Sequence, residues 1–77
     1  MNTNILTAYG STIRKIRQSQ NISQEGFADL CGLHRTYISD VELGKRNVSL
    51  ENIEKMADAL NIKVSDIFRE VEDNDSI

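Results

Sequence analysis

The chain of 77 residues has one cysteine, one histidine, no proline and no tryptophan. One cysteine cannot form a disulfide within the chain, and one cysteine with one histidine cannot complete a usual zinc site. A chain of this length buries only about 60% of the surface that its unfolded form exposes. We therefore expect no metal and no cofactor, and a small fold that depends on helix packing, with a dimer partner as an additional source of stability.

The sequence also lacks the features of several protein classes. No apolar run approaches the roughly 18 residues of a transmembrane span, and the N-terminal MNTNILTAYGS lacks the basic-then-apolar order of a signal peptide. We find no phosphate-binding loop, metal-ligand cluster or nucleophile–base set among its motifs. We expect a cytoplasmic protein that is not an enzyme, contacts no membrane and has no small-molecule substrate.

The charge of the chain is unevenly distributed. The formal net charge is −3, which argues mildly against a nucleic-acid partner. Residues 1–50, however, carry six Lys or Arg against four Asp or Glu, whereas residues 51–77 carry three against eight. Asymmetry of this kind indicates a binding partner for one half. The alternative is an acidic tail that serves solubility alone.

The apolar residues recur at helical spacing along the whole chain, and no strand-like alternation of useful length is present. Capping residues and glycines divide this pattern into five helices. We predict helices from about Ile5 to Gln20, Gln24 to Cys31, Arg35 to Leu43, from the Ser49 cap to Leu60, and a short one capped by Ser65. Residues 70–77 are acidic and predicted to fray, which leaves residues 1–69 as the folded domain.

The segment between the second and third helices is only about three residues long and contains Gly32. A glycine there can adopt the left-handed conformation that a tight turn between helices requires. Ala28 is small where the two helices must approach, and Ile38 and Val41 can anchor the third helix to the core. We also expect Leu30 and Leu33 to be core residues. A short glycine-containing turn between two steeply inclined helices is the signature of a helix-turn-helix unit.

The third helix has one polar face opposite Ile38 and Val41, because residues advance by about 100° along a helix. That face consists of Arg35, Thr36, Ser39 and Asp40. Tyr37 lies on its flank. A rigid helix with Arg, Thr and Ser near its N-terminal end suits the DNA major groove. An ordinary solvated face is the alternative interpretation.

The stretch SQEGFADLCGLHRTYISDVELGKRNVSLENIEKMADAL resembles the Cro/lambda-repressor-type helix-turn-helix family, also called the Xre family, and the resemblance extends from about Ile13 to Phe68. Within it, HRTYISDVELGKRN most resembles the controller proteins of restriction–modification systems. The resemblance implies an all-α, five-helix, lambda-repressor-like DNA-binding domain that regulates transcription. Two positions depart from the family pattern: Gly26 stands where a helix former is usual, and Val48 replaces a frequent proline.

Each residue of the polar face has a candidate role. Arg35 can contact guanine O6 and N7 in a bidentate manner, or a phosphate instead. Thr36 can meet a thymine methyl group, a base edge or a phosphate, and Ser39 is small enough to allow close approach. Tyr37 can pack on base edges and sugars or in the core. Asp40 can accept from cytosine N4 or orient an arginine side chain.

The resemblance also implies contacts outside the third helix. Gln24 and nearby backbone amides would meet a phosphate at the start of the second helix. The loop residues after the third helix would clamp the DNA backbone or probe the minor groove; they are Lys45, Arg46 and Asn47. Arg17 and Glu42 would form a structural ion pair that joins the first helix to the end of the third.

A double-stranded DNA operator is the expected partner, read as a palindrome by a homodimer. The predicted dimer interface consists of apolar residues of the C-terminal half: Leu60, Ile62, Val64, Ile67, Phe68 and Val71. The alternative is that all six belong to the core of the monomer. RNA polymerase is an open further partner. The main rival function is an antitoxin-type protein-interaction module that also represses its own operon.

Overall fold

The computed structural model describes residues 4–75, which form five α-helices and no β-strand. The helices are α1 (Ile5–Ser19), α2 (Gln24–Cys31), α3 (Arg35–Glu42), α4 (Leu50–Leu60) and α5 (Val64–Asp75). The all-α, five-helix prediction is confirmed. In this part of the chain no helix is both long and apolar enough to cross a membrane.

Local chemistry sets both ends of α2 and α4 and the end of α1, as the sequence predicts. The hydroxyl groups of Ser23 and Ser49 accept the backbone N–H of the residue three positions on, which caps α2 and α4. Gly32 ends α2 in the left-handed conformation at φ 70°, and Asn61 ends α4 at φ 58°. Asn21 has the same conformation after α1, with φ 60°.

The fifth helix differs from its prediction at both ends. It begins at Val64, so Ser65 lies inside its first turn, and the Asp66 carboxylate accepts the N–H of Lys63 at 3.3 Å. It continues to Asp75, six residues past the predicted end of the folded domain at residue 69. Val71 explains the extension because it lies one turn after Ile67, and both side chains are fully buried. Residues 76 and 77 of the predicted tail lie outside the described residues.

The core lies where α1, α4 and α5 meet the helix-turn-helix unit formed by α2 and α3. Its largest fully buried side chains include Phe27, Ile13, Ile38, Met56, Leu60 and Ile67. The prediction of a buried Leu30 is wrong: this side chain is 61% exposed, and Leu33 is half-buried. Helical spacing identified an apolar position here, but within residues 4–75 no other helix covers the Leu30 side chain.

An aromatic contact joins α1 to α5. The rings of Tyr9 and Phe68 stack with their centroids 5.6 Å apart, and the Tyr9 hydroxyl donates to the sulfur of Met56 at 3.2 Å. Burial raises the pKa of the Tyr9 hydroxyl, and burial likewise raises the pKa of the Cys31 thiol to about 11. Both groups therefore stay protonated in the folded protein at neutral pH, as their apolar surroundings require.

The crossing of α1 and α3 depends on Gly10. A Cβ atom at this position would overlap the backbone carbonyl oxygen of Val41. Only glycine therefore lets the two helix backbones approach this closely. The contact fixes α3, the helix with the polar face, against the longest helix of the molecule.

Candidate nucleic-acid interface

The third helix presents its polar face outward, as the sequence predicts. Ile38 and Val41 are buried, whereas Arg35 and Thr36 at the N-terminal end are exposed. Ser39 and Asp40 on the same face are half-buried. The arrangement leaves Arg35 and Thr36 free to enter a groove, while the buried side chains opposite them hold the helix axis in place.

A buried ion pair locks the C-terminal end of α3 onto α1. Arg17 Nε lies 2.7 Å from Glu42 Oε2, and Arg17 Nη2 lies 3.0 Å from Glu42 Oε1. The remaining Nη1 donates to the carbonyl oxygen of Ile22 at 2.8 Å. Both side chains are almost completely buried. The pair predicted from the family resemblance is thus present, and removal of one buried partner typically destabilises a fold by about 3–5 kcal/mol.

Gln24 belongs to the same network. Its side-chain amide donates to Glu42 Oε1 at 3.0 Å, which ties the first turn of α2 to the end of α3. Beside it lies an open cavity of about 350 Å³, whose lining includes Arg14 and Ser39. Arg14 is exposed and brings a positive charge next to the predicted phosphate contact. Sequence reasoning missed it, although it lies three residues before Arg17 on the same side of a helix.

A second polar network joins α3, the following loop and α4. Arg46 Nε lies 3.5 Å from Asp40 Oδ2, and the Arg46 guanidinium carbon lies 5.2 Å from the centre of the Tyr37 ring. The Tyr37 hydroxyl accepts from Asn52 Nδ2 at 3.0 Å. Asp40 thus lies beside an arginine side chain, and its predicted contact with cytosine stays a prediction. Asn52 was not predicted, because no local motif connects it with Tyr37.

The loop between α3 and α4 carries the remaining predicted backbone contacts. Lys45, Arg46 and Asn47 are all exposed. The backbone N–H of Lys45 donates to the carbonyl of Asp40 at 2.9 Å, so the start of the loop is fixed to the last turn of α3. The loop therefore presents two cations close to the polar face of the third helix.

The structure corrects half of the predicted dimer interface. Leu60, Ile67 and Val71 are buried within a single chain and have almost no surface with which to contact a second one. Ile62 and Phe68 are half-buried, and Val64 is 38% exposed. Apolar sequence character predicted burial in the C-terminal half but could not tell which chain would cover each residue.

An exposed apolar surface nevertheless lies next to these residues. We define the apolar face as Ile5, Leu50, Ile53, Val64 and Phe68. Leu50 is 83% exposed, whereas Ile53 is almost buried, at 8% exposed, and lines two cavities, one together with Ile5 and Phe68 and the other together with Leu50 and Val64. Among the described residues, no group of three or more His, Cys, Asp or Glu could hold a metal ion.

Comparison with known proteins agrees with this geometry. A family model described as helix-turn-helix matches residues 13–67. Control protein C.BamHI of Bacillus amyloliquefaciens is 53% identical over 69 residues, which cover 88% of this chain and 85% of that protein. Control protein C.MunI of a Mycoplasma species is 45% identical over 65 residues, which cover 83% of this chain and 88% of that protein.

A protein of known structure shows the same similarity to controller proteins. The restriction-modification controller protein C.AhdI from Aeromonas hydrophila is 46% identical, with a TM-score of 0.80 over 82% of this chain and 96% of that one. The family model covers more than half of the chain, and the relatives align over most of their own length. This chain therefore belongs to the Xre-type helix-turn-helix family.

Proposed function

We propose that this protein is a sequence-specific DNA-binding regulator of transcription, which reads a palindromic operator as a homodimer and controls a restriction–modification system. The observation that carries the proposal is the outward polar face of α3, held rigidly by buried contacts to α1. The similarity to control proteins supports the regulatory role. RNA polymerase is the additional partner that an activating role would require.

The base contacts come from the exposed end of α3. Arg35 is placed to bind guanine O6 and N7, a contact that contributes about 1–3 kcal/mol of discrimination. Thr36 beside it meets a thymine methyl group or a base edge. Ser39 permits close approach of the helix, and Asp40 and Tyr37 act chiefly on the side chain of Arg46.

The backbone contacts flank α3 on two sides. Gln24 opens α2, and its neighbouring amides offer donors to a phosphate. The loop supplies Lys45, Arg46 and Asn47 on the other side. Together these groups account for the salt-dependent part of the affinity, because each phosphate that is neutralised releases condensed counterions. The net negative charge of the chain does not oppose this, since its excess of carboxylates lies in residues 51–77.

The apolar face fits a second copy of this chain. One unit of this size would bury only about 600–1,000 Å² on DNA, which limits its selectivity. A dimer doubles the contact and reads two half-sites. None of the five residues in the apolar face is a proposed DNA contact, although Asn47 of the loop borders one of its cavities. Ile62 extends the interface beyond this face as a half-buried residue.

Selection from a random pool of double-stranded DNA, followed by fluorescence anisotropy, tests the function. The selected sequence should bind about 10³-fold or more tightly than a shuffled one at physiological salt. The double variant Arg35→Ala/Thr36→Ala should lose most of this preference. Arg69→Ala, which removes an exposed arginine of α5, is the matched control and should retain it. Equal affinity of the unmodified protein for both sequences would refute the proposal.

A further inference from the structure

We propose that Asn52, on α4, is a positioning residue for DNA binding, and that it acts through the Tyr37 hydroxyl on the guanidinium group of Arg46. This inference rests on the proposed function, because it concerns how that interface is held before DNA arrives. Asn52 lies outside the helix-turn-helix unit, in the first turn of the following helix. Its role is to prevent the loop arginine from moving freely in the unbound protein.

The contacts form a chain of three links. Asn52 Nδ2 donates to the Tyr37 hydroxyl at 3.0 Å, in a partly buried position. The Tyr37 ring lies under the Arg46 guanidinium carbon at 5.2 Å from its centre. Asp40 also contacts Arg46, with 3.5 Å between Oδ2 and Nε. The three links join α4 to α3 and α3 to the loop.

Each link restricts a different motion. The hydroxyl oxygen of a tyrosine lies on the long axis of its ring, so a hydrogen bond there restricts χ1 and fixes where the ring lies relative to the arginine. A cation over an aromatic face is attracted by the ring, and the attraction depends on the distance between the cation and the ring centre. The carboxylate of Asp40 then sets the direction of Nε. Arginine has five N–H donors, so the contact at Nε leaves the Nη groups for a phosphate or a base edge.

Preorganisation is the physical benefit of this arrangement. Arg46 is a loop residue whose side chain is about half exposed, so without these contacts it would sample many rotamers. Rotamers already restricted in the free protein cost less entropy on binding. The tyrosine therefore acts as a platform for Arg46 more than as a base reader. Asn52 determines where that platform lies.

A double-mutant cycle tests the route of action. Asn52→Leu keeps the approximate side-chain size but removes the donor, and Tyr37→Phe removes the acceptor. One lost hydrogen bond corresponds to an affinity for the selected DNA about 3- to 10-fold lower for each variant. The double variant should bind as the single ones do, and neither change should matter in an Arg46→Ala background. Asp58→Leu, an exposed position of α4 outside the network, should stay within about twofold.

A measurement without DNA separates this inference from the proposed function. In the free protein, Asn52→Leu should shift the Arg46 side-chain Nε–H signal in the NMR spectrum and speed its exchange with solvent, at an unchanged helix content. A further loss of affinity from Asn52→Leu in the Tyr37→Phe background would overturn the inference, since Asn52 would then contact DNA itself. An unchanged Arg46 signal would also overturn it. If the Arg46 signal shifts and no DNA sequence is preferred, only the proposed function fails.

Discussion

Two arginines, one in α3 and one in the loop that follows it, differ in the contacts that hold their side chains. Arg35 stands exposed in the first turn of α3, whereas Arg46 in the loop is held by a carboxylate and an aromatic ring. An exposed arginine at the end of an inserted helix can follow the donor and acceptor pattern of one base pair. An arginine beside the groove, with a preset direction, contributes more to affinity than to sequence choice.

Arg35→Ala should therefore relax specificity at one base pair in each half-site. At the guanine it contacts, the preference over other bases should fall by about 1–3 kcal/mol, while the preferences at other positions remain. Binding measured on a panel of single-base operator variants checks this. Lys45→Ala serves as the control, because loss of a phosphate contact should weaken all variants equally. The same uniform weakening in Arg35→Ala would show that Arg35 contacts only the backbone.

Thr12 places an unsatisfied polar group in the described part of the core. Its hydroxyl oxygen is buried and has no hydrogen-bond partner among the described residues. An unsatisfied buried hydroxyl destabilises a fold, whereas an apolar group of the same shape does not. Thr12→Val should raise the free energy of unfolding by about 1 kcal/mol in urea titrations followed by circular dichroism. Thr12→Ser keeps the hydroxyl, loses the methyl group and should lower it; a destabilised Thr12→Val variant would contradict this account.

At the scale of the elements, local signals in the sequence sufficed for the helix-turn-helix unit. Ser23 and Gly32 mark the ends of α2 through capping chemistry that involves only nearby residues. The end of α5 could not be predicted in this way, because a tertiary contact of Val71 opposes the acidic local composition. The network through Asn52 was equally invisible, since it joins residues 15 positions apart in different helices.

At Gly10, too, a tertiary contact determines which residue the position can hold. If α1 made no tertiary contact, Gly10→Ala would stabilise this helix by about 1 kcal/mol through helix propensity. The overlap with the Val41 carbonyl should outweigh this and lower the free energy of unfolding by about 2 kcal/mol net. Gly26→Ala is the matched control: its nearest neighbour, the Ser23 hydroxyl at 3.1 Å, can move slightly. Thermal unfolding compares the two, and equal melting temperatures would contradict the close approach of α1 and α3.

At the scale of the whole molecule, the apolar face and the proposed base contacts lie on different helices, and Asn47, a proposed backbone contact, borders the apolar face. The apolar face involves α1, α4 and α5, and the proposed base contacts lie on α3. The sequence predicted the correct region for the dimer but included three residues that the monomer core takes up. Phe68 is a poor site for a test of association, because it also stacks on Tyr9 within the chain.

Leu50→Asp/Val64→Asp should dissociate the dimer without unfolding the monomer. Both positions are the first residues of their helices, where a carboxylate is favourable. Sedimentation velocity should report a monomer, with the helix content by circular dichroism unchanged. Leu30→Asp places one carboxylate at an exposed apolar position outside the face and should stay dimeric. A double variant that still sediments as a dimer would move the interface elsewhere.

Hydroxyl-radical footprinting on the selected operator tests the central claim most directly, because it reports in one measurement where the protein lies on DNA and how many units bind. The account predicts two symmetric regions of protection on one side of the duplex, with centres about 10 base pairs apart, as two third helices one turn apart require. Arg35→Ala should weaken both regions together. A single region of protection, or uniform protection without a preferred position, would contradict the account.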